Sequence, residues 1–316
     1  MKIFLTGGSG FLGKEVIKAL IDLGYHVDCP SSKQCNLLEM NSLKKYSVLK
    51  YDHIYHLAAW TQAGDFCLKY PGEQWINNQL INTNIINWWR TTQSQAKFIF
   101  MGTSCAYSPD LELNENNYMA GEPIDSLYTY AMTKRMLYQG ARSMEKQFNM
   151  RWLCTVPSTL YGPSYHLDGR QMHFIFDLIK KILRGKYLYE PVILWGDGYQ
   201  RRELVHVKSF VNILIQLAEK VDNKLLNLGS GEDFSIREFV KVICDLVEYD
   251  SSLISYDINK YVGAKSKILA IEEIDNYIFQ YKSKLIPLKV GLKETIDWFV
   301  SERAYLNTDE QALFQR

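Results

Sequence analysis

The stretch Gly7-Gly8-Ser9-Gly10-Phe11-Leu12-Gly13 follows the apolar run Ile3-Phe4-Leu5 and opens a helical pattern with apolar residues at 12, 16, 17, 20 and 21. Glycine turns tightly where a side chain would clash, and lets the backbone approach a ligand closely. Gly7, Gly10 and Gly13 recur every third residue. They stand where a helix N-terminus offers unpaired N–H groups and partial positive charge to an anion. The spacing differs from G-x-G-x-x-G, so the mechanics carry the reading and the fingerprint does not. The stretch reads as the pyrophosphate turn of a dinucleotide site at the head of a βαβ unit.

Outward from that turn, short β-rich runs alternate with helical patterns. Strands are expected at 3–5, 25–29, 53–57, 97–101 and 151–156, with long helices near 73–94 and 127–148. This alternation predicts an α/β fold, a doubly wound parallel sheet covered on both faces. Beyond Pro157 the rhythm loosens into helices near 172–184, 209–220 and 235–247. Residues 1–157, with returning segments near 190–225, are expected to form the dinucleotide-binding domain. Residues 158–190 and 226–303 should form a smaller α/β domain over the strand ends, and 304–316 a frayed tail. The site belongs in the crevice outside the carboxyl ends of the strands.

The 316 residues are 47% apolar and 22% charged, with a net charge of +1. That balance excludes a nucleic-acid partner held by charge. No apolar run approaches the ~20 residues of a membrane span, and the first residues read as a strand, not a leader. The cysteines at 29, 35, 67, 105, 154 and 244 include no Cys-x-x-Cys pair. They fit reduced thiols in the cytoplasm and predict no metal site.

Two further stretches carry chemistry. Gly102-Thr103-Ser104-Cys105-Ala106-Tyr107 and Tyr130-Ala131-Met132-Thr133-Lys134 supply a hydroxyl, a thiol, a phenol and an ammonium. On a helix, Tyr130 and Lys134 lie one above the other. A lysine charge about 4 Å from a phenol favours phenolate by up to roughly 4 kcal/mol at an effective dielectric near 20. That would draw a tyrosine from ~10 toward neutrality, where it can exchange a proton with a carbonyl or alcohol. At the second strand, Asp28 could take the ribose 2′-hydroxyl of NAD(H). The loop Pro30-Ser31-Ser32-Lys33 offers two hydroxyls and a cation to a 2′-phosphate. NADP(H) is favoured, with NAD(H) left open.

These residues stand with Asn36-Leu37-Leu38-Glu39, His56-Leu57-Ala58-Ala59, Leu160-Tyr161-Gly162-Pro163, Leu194-Trp195-Gly196-Asp197-Gly198, Arg202-Glu203-Leu204-Val205-His206-Val207 and Asn227-Leu228-Gly229-Ser230-Gly231. Together they make the chain resemble the extended short-chain dehydrogenase/reductases of the nucleotide-sugar epimerase/dehydratase superfamily. Within it, Gly102 to Ser108 and Met172-His173-Phe174-Ile175 are similar to the GDP-L-fucose synthases and related GDP-4-keto-6-deoxy-sugar C4 reductases. The resemblance implies a Rossmann-type sheet with a smaller substrate domain. It implies that Thr103 bonds the substrate oxygen, that Tyr130 donates a proton during ketone reduction, and that Lys134 holds the nicotinamide ribose. Cys105 and His173 would be the base and acid that invert carbons beside a C4 ketone. Ser104, Thr159, Trp195 and Arg202 would also meet a GDP-sugar, Arg202 at its diphosphate. The cofactor would lie against Gly7, Gly10, Phe11, Leu12, Gly13, Ser31, Ser32, Lys33, Asn36, Leu37, Leu57, Ala58, Ala59, Tyr130, Lys134 and Pro157. A homodimer through the helices at 73–94 and 127–148 is implied as well. Trp75, Trp88 and Trp89 read as core, with that dimer face as the alternative. Ser104-Cys105 stands where the sugar-nucleotide 4,6-dehydratases carry Asp-Glu, which excludes dehydration.

Three departures fall on segments expected to touch the sugar. Thr159 replaces a side-chain amide, Trp60-Thr61-Gln62-Ala63-Gly64 stands in place of a Val-Gly-Gly loop, and Lys260-Tyr261-Val262-Gly263 replaces Lys-Pro-Asp-Gly. A larger sugar, a 6-deoxy-heptose of the kind used in bacterial surface polysaccharides, would account for them. The expected reaction is NADPH-dependent C4 reduction of a GDP-linked 4-keto-6-deoxy hexose or heptose. The alternatives are a bifunctional fucose synthase that first epimerises C3 and C5, and a redox-neutral 4-epimerase with bound NAD. A non-catalytic dinucleotide sensor is the rival from another class, and the retained Tyr130/Lys134 pair speaks against it.

Overall fold

In the computed structural model, which describes residues 1–260 and 265–306, strand β1 (Lys2–Thr6) runs through the glycine turn into α1 (Phe11–Asp22). The alternation continues with β2 (His26–Asp28), β3 (His53–His56), the short α2 (Phe66–Lys69), α3 (Pro71–Thr92), β4 (Lys97–Met101), α4 (Tyr128–Phe148) and β5 (Trp152–Pro157). Then come β6 (Thr159–Tyr161), α5 (Phe174–Leu188), β7 (Val192–Trp195), β8 (Arg201–His206), α6 (Val207–Lys220) and β9 (Lys224–Leu228). The last elements are β10 (Asp233–Ser235), α7 (Ile236–Val247), β11 (Ile254–Asp257) and α8 (Leu288–Ser301).

The main sheet has the order β2-β1-β3-β4-β5-β9, and every neighbouring pair is parallel. The chain moves outward from β1 to β2, then reverses to place β3 on the other side of β1. That reversal opens a crevice beyond the strand ends, and the Gly7 turn sits at it. Helices α3 and α4 cover one face, packing Ile81, Ile85, Trp88, Trp89, Leu137 and Ala141 on Phe98 and Phe100. Helices α1 and α6 cover the other, packing Val16, Leu20, Phe210 and Leu214 on Ile3, Leu5 and Ile99. Each large apolar side chain buried this way contributes about 1.5–3 kcal/mol. Trp88 and Trp89 are core, whereas Trp75 is exposed. The core reading thus holds for Trp88 and Trp89 and not for Trp75.

The second lobe is built from α5, α7 and α8 around Phe176, Ile179, Phe239, Ile243, Leu292 and Phe299. Its strands form two small sheets, β10-β8-β6 and β11-β7. The domain division differs here from the sequence expectation. The piece returning to the main sheet is α6 with β9; β7 pairs with β11 and β8 with β6 and β10, in the smaller lobe. Burial pattern explains the difference. β7 buries alternate residues, as a strand with one covered face does, while β9 is buried at four consecutive positions, Leu225 to Leu228. Ala304 is buried and the Tyr305 carbonyl accepts from Arg184, so the first residues of the expected tail are packed. Residues 307–316, and Tyr261 to Gly263 of the departing segment at 260–263, lie outside the described residues. No described helix is long and apolar enough to cross a membrane.

Candidate active site

The glycine turn has the geometry of a cradle. Gly7 has φ +77°, and a Cβ there would lie 2.6 Å from the Ala58 nitrogen. A Cβ on Gly13 would meet the Gly7 carbonyl at 2.2 Å. Gly10, at the N-cap of α1, provides no side-chain cap, and α1 has no acidic residue in its first turn. The first N–H groups of α1 are therefore open to an anion, and the residues fit a dinucleotide pyrophosphate.

Beside the cradle, buried polar residues of α3 fix the exit of β3. Asn78 grips the Trp60 backbone in both directions, its Oδ1 accepting from the nitrogen at 2.9 Å and its Nδ2 donating to the carbonyl at 3.0 Å. His56 lies between Thr6 Oγ1 at 2.9 Å and Asn82 Oδ1 at 3.1 Å. Burial pushes its pKa down to about 4, so the ring is neutral at neutral pH. An Asn82 carbonyl then selects the Nε2–H tautomer, leaving Nδ1 to accept from Thr6. Thr6 Oγ1 in turn accepts from the Ala58 nitrogen at 3.3 Å. The segment 57–60 is held by side chains that the strand-and-helix pattern did not single out.

The second strand ends at Asp28, whose Oδ2 accepts from the Tyr51 hydroxyl at 2.7 Å. Ser31, Ser32 and Lys33 are exposed just beyond it, in a loop fixed by Gln34 Oε1, which accepts from both Ser31 N and Ser31 Oγ at 3.0 Å. Two of the expected cofactor residues have side chains engaged in the fold. The Leu37 side chain belongs to the apolar core, because an apolar residue in this loop gains more by burial than by exposure. The Asn36 side chain is spent on its own turn, bonding Glu39 and the Leu38 nitrogen.

Thr103 caps the short 3₁₀ turn at Ser104–Ala106, its Oγ1 accepting from the Cys105 nitrogen at 3.2 Å. The turn is clamped from α4 by Arg135, which is buried and donates to the Ala106 carbonyl through Nε at 2.9 Å and NH2 at 2.6 Å. Tyr107 anchors its far end by donating to Asn227 Oδ1 at 2.6 Å. Thr103 and Tyr130 share a hydrogen bond, which joins the turn to α4. Pro157, Ser158 and Thr159 follow at the adjacent strand end, where the Ser158 hydroxyl is buried without a partner among the described residues.

The Tyr130/Lys134 pair differs electrostatically from the expectation. The Lys134 ammonium is 6.0 Å from the Tyr130 ring centre. Burial, reinforced by the nearby Cys105, raises the Tyr130 pKa although Thr103 opposes it. Lys134 is itself pushed down to about 8 by burial. Desolvation sets the direction of both shifts, and Lys134 is not among the groups that move the phenol. Tyr130 is therefore protonated at neutral pH, as a proton donor must be.

Across the cleft Lys267, which sequence reasoning missed, donates to the Cys105 sulfur at 3.1 Å. Burial alone would raise the Cys105 thiol; the charge and hydrogen bond of Lys267, with a hydrogen bond from Thr103, reverse that and lower it. His173 stands immediately before α5, open to solvent in the cleft. The surrounding protein and the Lys267 charge hold its imidazolium below the usual range. Arg202 and Trp195 lie further along the second lobe. Trp195 is largely exposed, with the Lys181 and Lys260 ammoniums 6.0 and 5.9 Å from its ring. Arg201, the neighbour of Arg202, is not loose in solvent. It pairs with Asp233 at 2.9 Å and Glu238 at 3.3 Å.

A family profile described as the NAD dependent epimerase/dehydratase family matches residues 3–229. The chain belongs to this family. Over 320 aligned residues it is 28% identical to the GDP-L-colitose synthase of Yersinia pseudotuberculosis, covering 96% of this chain and 99% of that one. A GDP-L-fucose synthetase from Naegleria fowleri bound to NADP has the same fold, with a TM-score of 0.82 and 21% identity over 96% of this chain and 94% of its own. So does a GDP-6-OMe-4-keto-L-xylo-heptose reductase from C. jejuni, with a TM-score of 0.82 and 19% identity over 95% and 98%. In this epimerase/dehydratase chain, the residues around the cleft that sequence missed are Lys267, Arg135 and Asn227. Arg135 carries a legible signal, since it neighbours Lys134 on α4. Lys267 carries none, because its pairing spans 162 positions; Asn227 stands in a motif that the sequence shows, but its bond to Tyr107, 120 positions away, does not follow from it.

Proposed function

We propose that the protein is an NADPH-dependent reductase that acts on the C4 ketone of a GDP-linked 4-keto-6-deoxy sugar, hexose or heptose. The observation that carries this reading is a protonated Tyr130 beside Thr103, which follows β4 at the same carboxyl edge of the parallel sheet as the glycine cradle after β1. Gly7, Gly10, Phe11, Leu12, Gly13, Ala58 and Ala59 would hold the dinucleotide, with Ser31, Ser32 and Lys33 beside a 2′-phosphate and Lys134 at the nicotinamide ribose. When bound, NADPH supplies the hydride that C4 receives. Tyr130 gives its proton to the developing C4 alkoxide, and Thr103 hydrogen-bonds the same oxygen, favouring charge there in the transition state. Arg202 suits the diphosphate because a guanidinium donates to it in bidentate fashion. The names of the relatives, a colitose synthase, an NADP-bound fucose synthetase and a heptose reductase, support a GDP-sugar and NADP(H). The exposed Trp75, Ile76 and Leu80 of α3 with Met136 of α4 offer an apolar face for pairing with a second copy.

NMR analysis of products from GDP-4-keto-6-deoxy-mannose and its heptose homologue, followed with NADPH consumption, tests the proposal. Stoichiometric oxidation of NADPH with a C4 alcohol as product is expected; turnover of neither sugar would sink the substrate assignment. The Cys105–Lys267 contact favours a second reading, in which C3 or C5 is epimerised before reduction. Deuterium would then enter those positions in D₂O without NADPH, and only while Cys105 is intact.

A further inference from the structure

Cys105 is half-buried on the turn beside Tyr130, and the lysine on it comes from a segment with no helix or strand of its own. That segment is nonetheless fixed along its length. The Lys265 carbonyl accepts from the Arg201 nitrogen at 2.8 Å, and Ser266 Oγ donates to Asp233 at 2.9 Å. Leu269 N donates to the buried Glu203 carboxylate at 3.1 Å. The Ala270 nitrogen donates to the Leu113 carbonyl at 3.0 Å, and the Ala270 carbonyl accepts from Asn227 at 3.0 Å. These bonds bracket Lys267 on both sides. A lysine loses about 1.5–2 kcal/mol of side-chain freedom on ordering, and anchoring its backbone keeps the further cost of reaching the sulfur small.

We infer that Lys267 is a positioning residue for Cys105: its ammonium, delivered by segment 265–270 to 3.1 Å from the sulfur, favours the thiolate over the thiol. The groups facing that sulfur from every side are consistent with the assignment. Thr103, on the same turn, bonds it; Tyr130 of α4 and Cys67 of α2 lie within electrostatic reach and are uncharged at neutral pH. Across the cleft the surrounding protein and Lys267 itself lower the pKa of the solvent-open His173, so it adds no charge that would rival Lys267. Lys267 is therefore the charge that decides the sulfur's state. The inference rests on the proposed keto-sugar chemistry for its use. There the thiolate forms an S–H bond with a proton taken from the carbon beside C4, and the C–H electron pair moves into an enolate with its charge on the C4 oxygen. Returning a solvent-derived proton restores both groups, so no oxidant or reductant is needed.

The test titrates the thiolate by its ultraviolet absorbance in the full-length protein, taking the difference between wild type and Cys105→Ser. The wild-type midpoint should fall below the ordinary thiol value of about 8.5. Lys267→Met should move it up by about one unit or more, and Lys267→Arg should leave it near wild type. Equal midpoints in wild type and Lys267→Met would overturn the inference, as would failure of Lys267→Arg to hold the low midpoint while its melting curve is unchanged. With GDP-4-keto-6-deoxy-mannose in D₂O, Lys267→Met should slow deuterium entry about tenfold at neutral pH, the loss expected from a one-unit shift, and recover as pH rises. A loss that does not recover with pH assigns Lys267 elsewhere and overturns the couple. A shifted midpoint in a protein that turns over no keto sugar upholds the lysine–cysteine couple and removes the substrate reading alone.

Discussion

Two lysines approach the same cleft from opposite walls, and they do opposite things to the groups beside them. Lys134, from the rigid helix α4, stands 6.0 Å from the Tyr130 ring and leaves the phenol protonated. Lys267, from an irregular segment of the second lobe, touches the Cys105 sulfur at 3.1 Å and lowers its pKa. The difference is geometric. A charge must contact the titrating atom to outweigh the desolvation that burial imposes on the anion. The Tyr130 side of the cleft thus keeps the proton of its phenol and favours loss of the one on the neighbouring Cys105 thiol, which a lysine from across the cleft contacts.

The sharpest way to break this comparison is to remove the group beside each lysine in turn. Tyr130→Phe should lower NADPH-dependent reduction by about 10²–10⁴-fold, the usual range for loss of a general acid. It should leave deuterium exchange into the substrate within a few-fold. Cys105→Ser should do the reverse. A single variant that abolishes both activities while remaining folded would show that the walls do not act separately.

The walls were unequally legible in the sequence. The α4 wall could be read because Tyr130 and Lys134 share a helix face, and helix periodicity turns a spacing of four into a contact. The glycine turn and the first five sheet strands were legible for the same local reason. The Cys105–Lys267 contact depends on where two distant segments are laid by tertiary packing, which no local period encodes. The sign of the Tyr130 shift was also hidden, since it depends on burial and on the Lys134 rotamer. A return of the chain to the first domain was expected near 190–225, but its making by α6 and β9, and the pairing of β7 with β11, were not legible because short strands announce neither their partners nor their lobe.

Lys134 offers the next test. Its pKa falls from 10.5 to about 8 in the folded protein. The unfolded chain therefore binds more protons between those values, and stability rises as pH climbs through that window. Below about pH 8 the full penalty applies, near 3 kcal/mol at 1.36 kcal/mol per unit. Lys134→Met should then be more stable than wild type at pH 7 by about that amount, less whatever hydrogen bonds the ammonium forfeits, while its KM for NADPH rises. Equal chemical denaturation midpoints at pH 7 would show that the ammonium is not penalised in place.

On the opposite wall the buried Glu203 accepts from Gly231 N at 2.8 Å and from Leu269 N at 3.1 Å, and burial lifts its pKa to about 7. Glu203→Ala leaves both N–H groups without this acceptor but also removes a buried carboxylate. A net loss of about 2 kcal/mol follows from a cost of about 1–3 kcal/mol per unmet buried group. Urea denaturation measures it. The variant should also move the Cys105 titration upward, because Leu269 helps anchor the segment that carries Lys267.

Arg201 should have the smallest effect, and it shows where the second wall's rigidity comes from. Its side chain is about two-fifths exposed, with side-chain exposure of 42%, and pairs with Asp233 and Glu238. Exposed pairs of this kind contribute about 0–1 kcal/mol. Asp233 also receives Ser266 Oγ at 2.9 Å, one residue before Lys267. Losing the arginine side chain frees Asp233 to shift, but the Arg201 backbone still donates to the Lys265 carbonyl at 2.8 Å. Arg201→Ala should therefore cost no more than about 1 kcal/mol, and should leave KM for the GDP-sugar and the Cys105 midpoint nearly unchanged. A large rise in KM would show that Arg201 meets the diphosphate after all. A large rise in the thiol midpoint would show that side chains, more than the backbone, hold Lys267 on the sulfur.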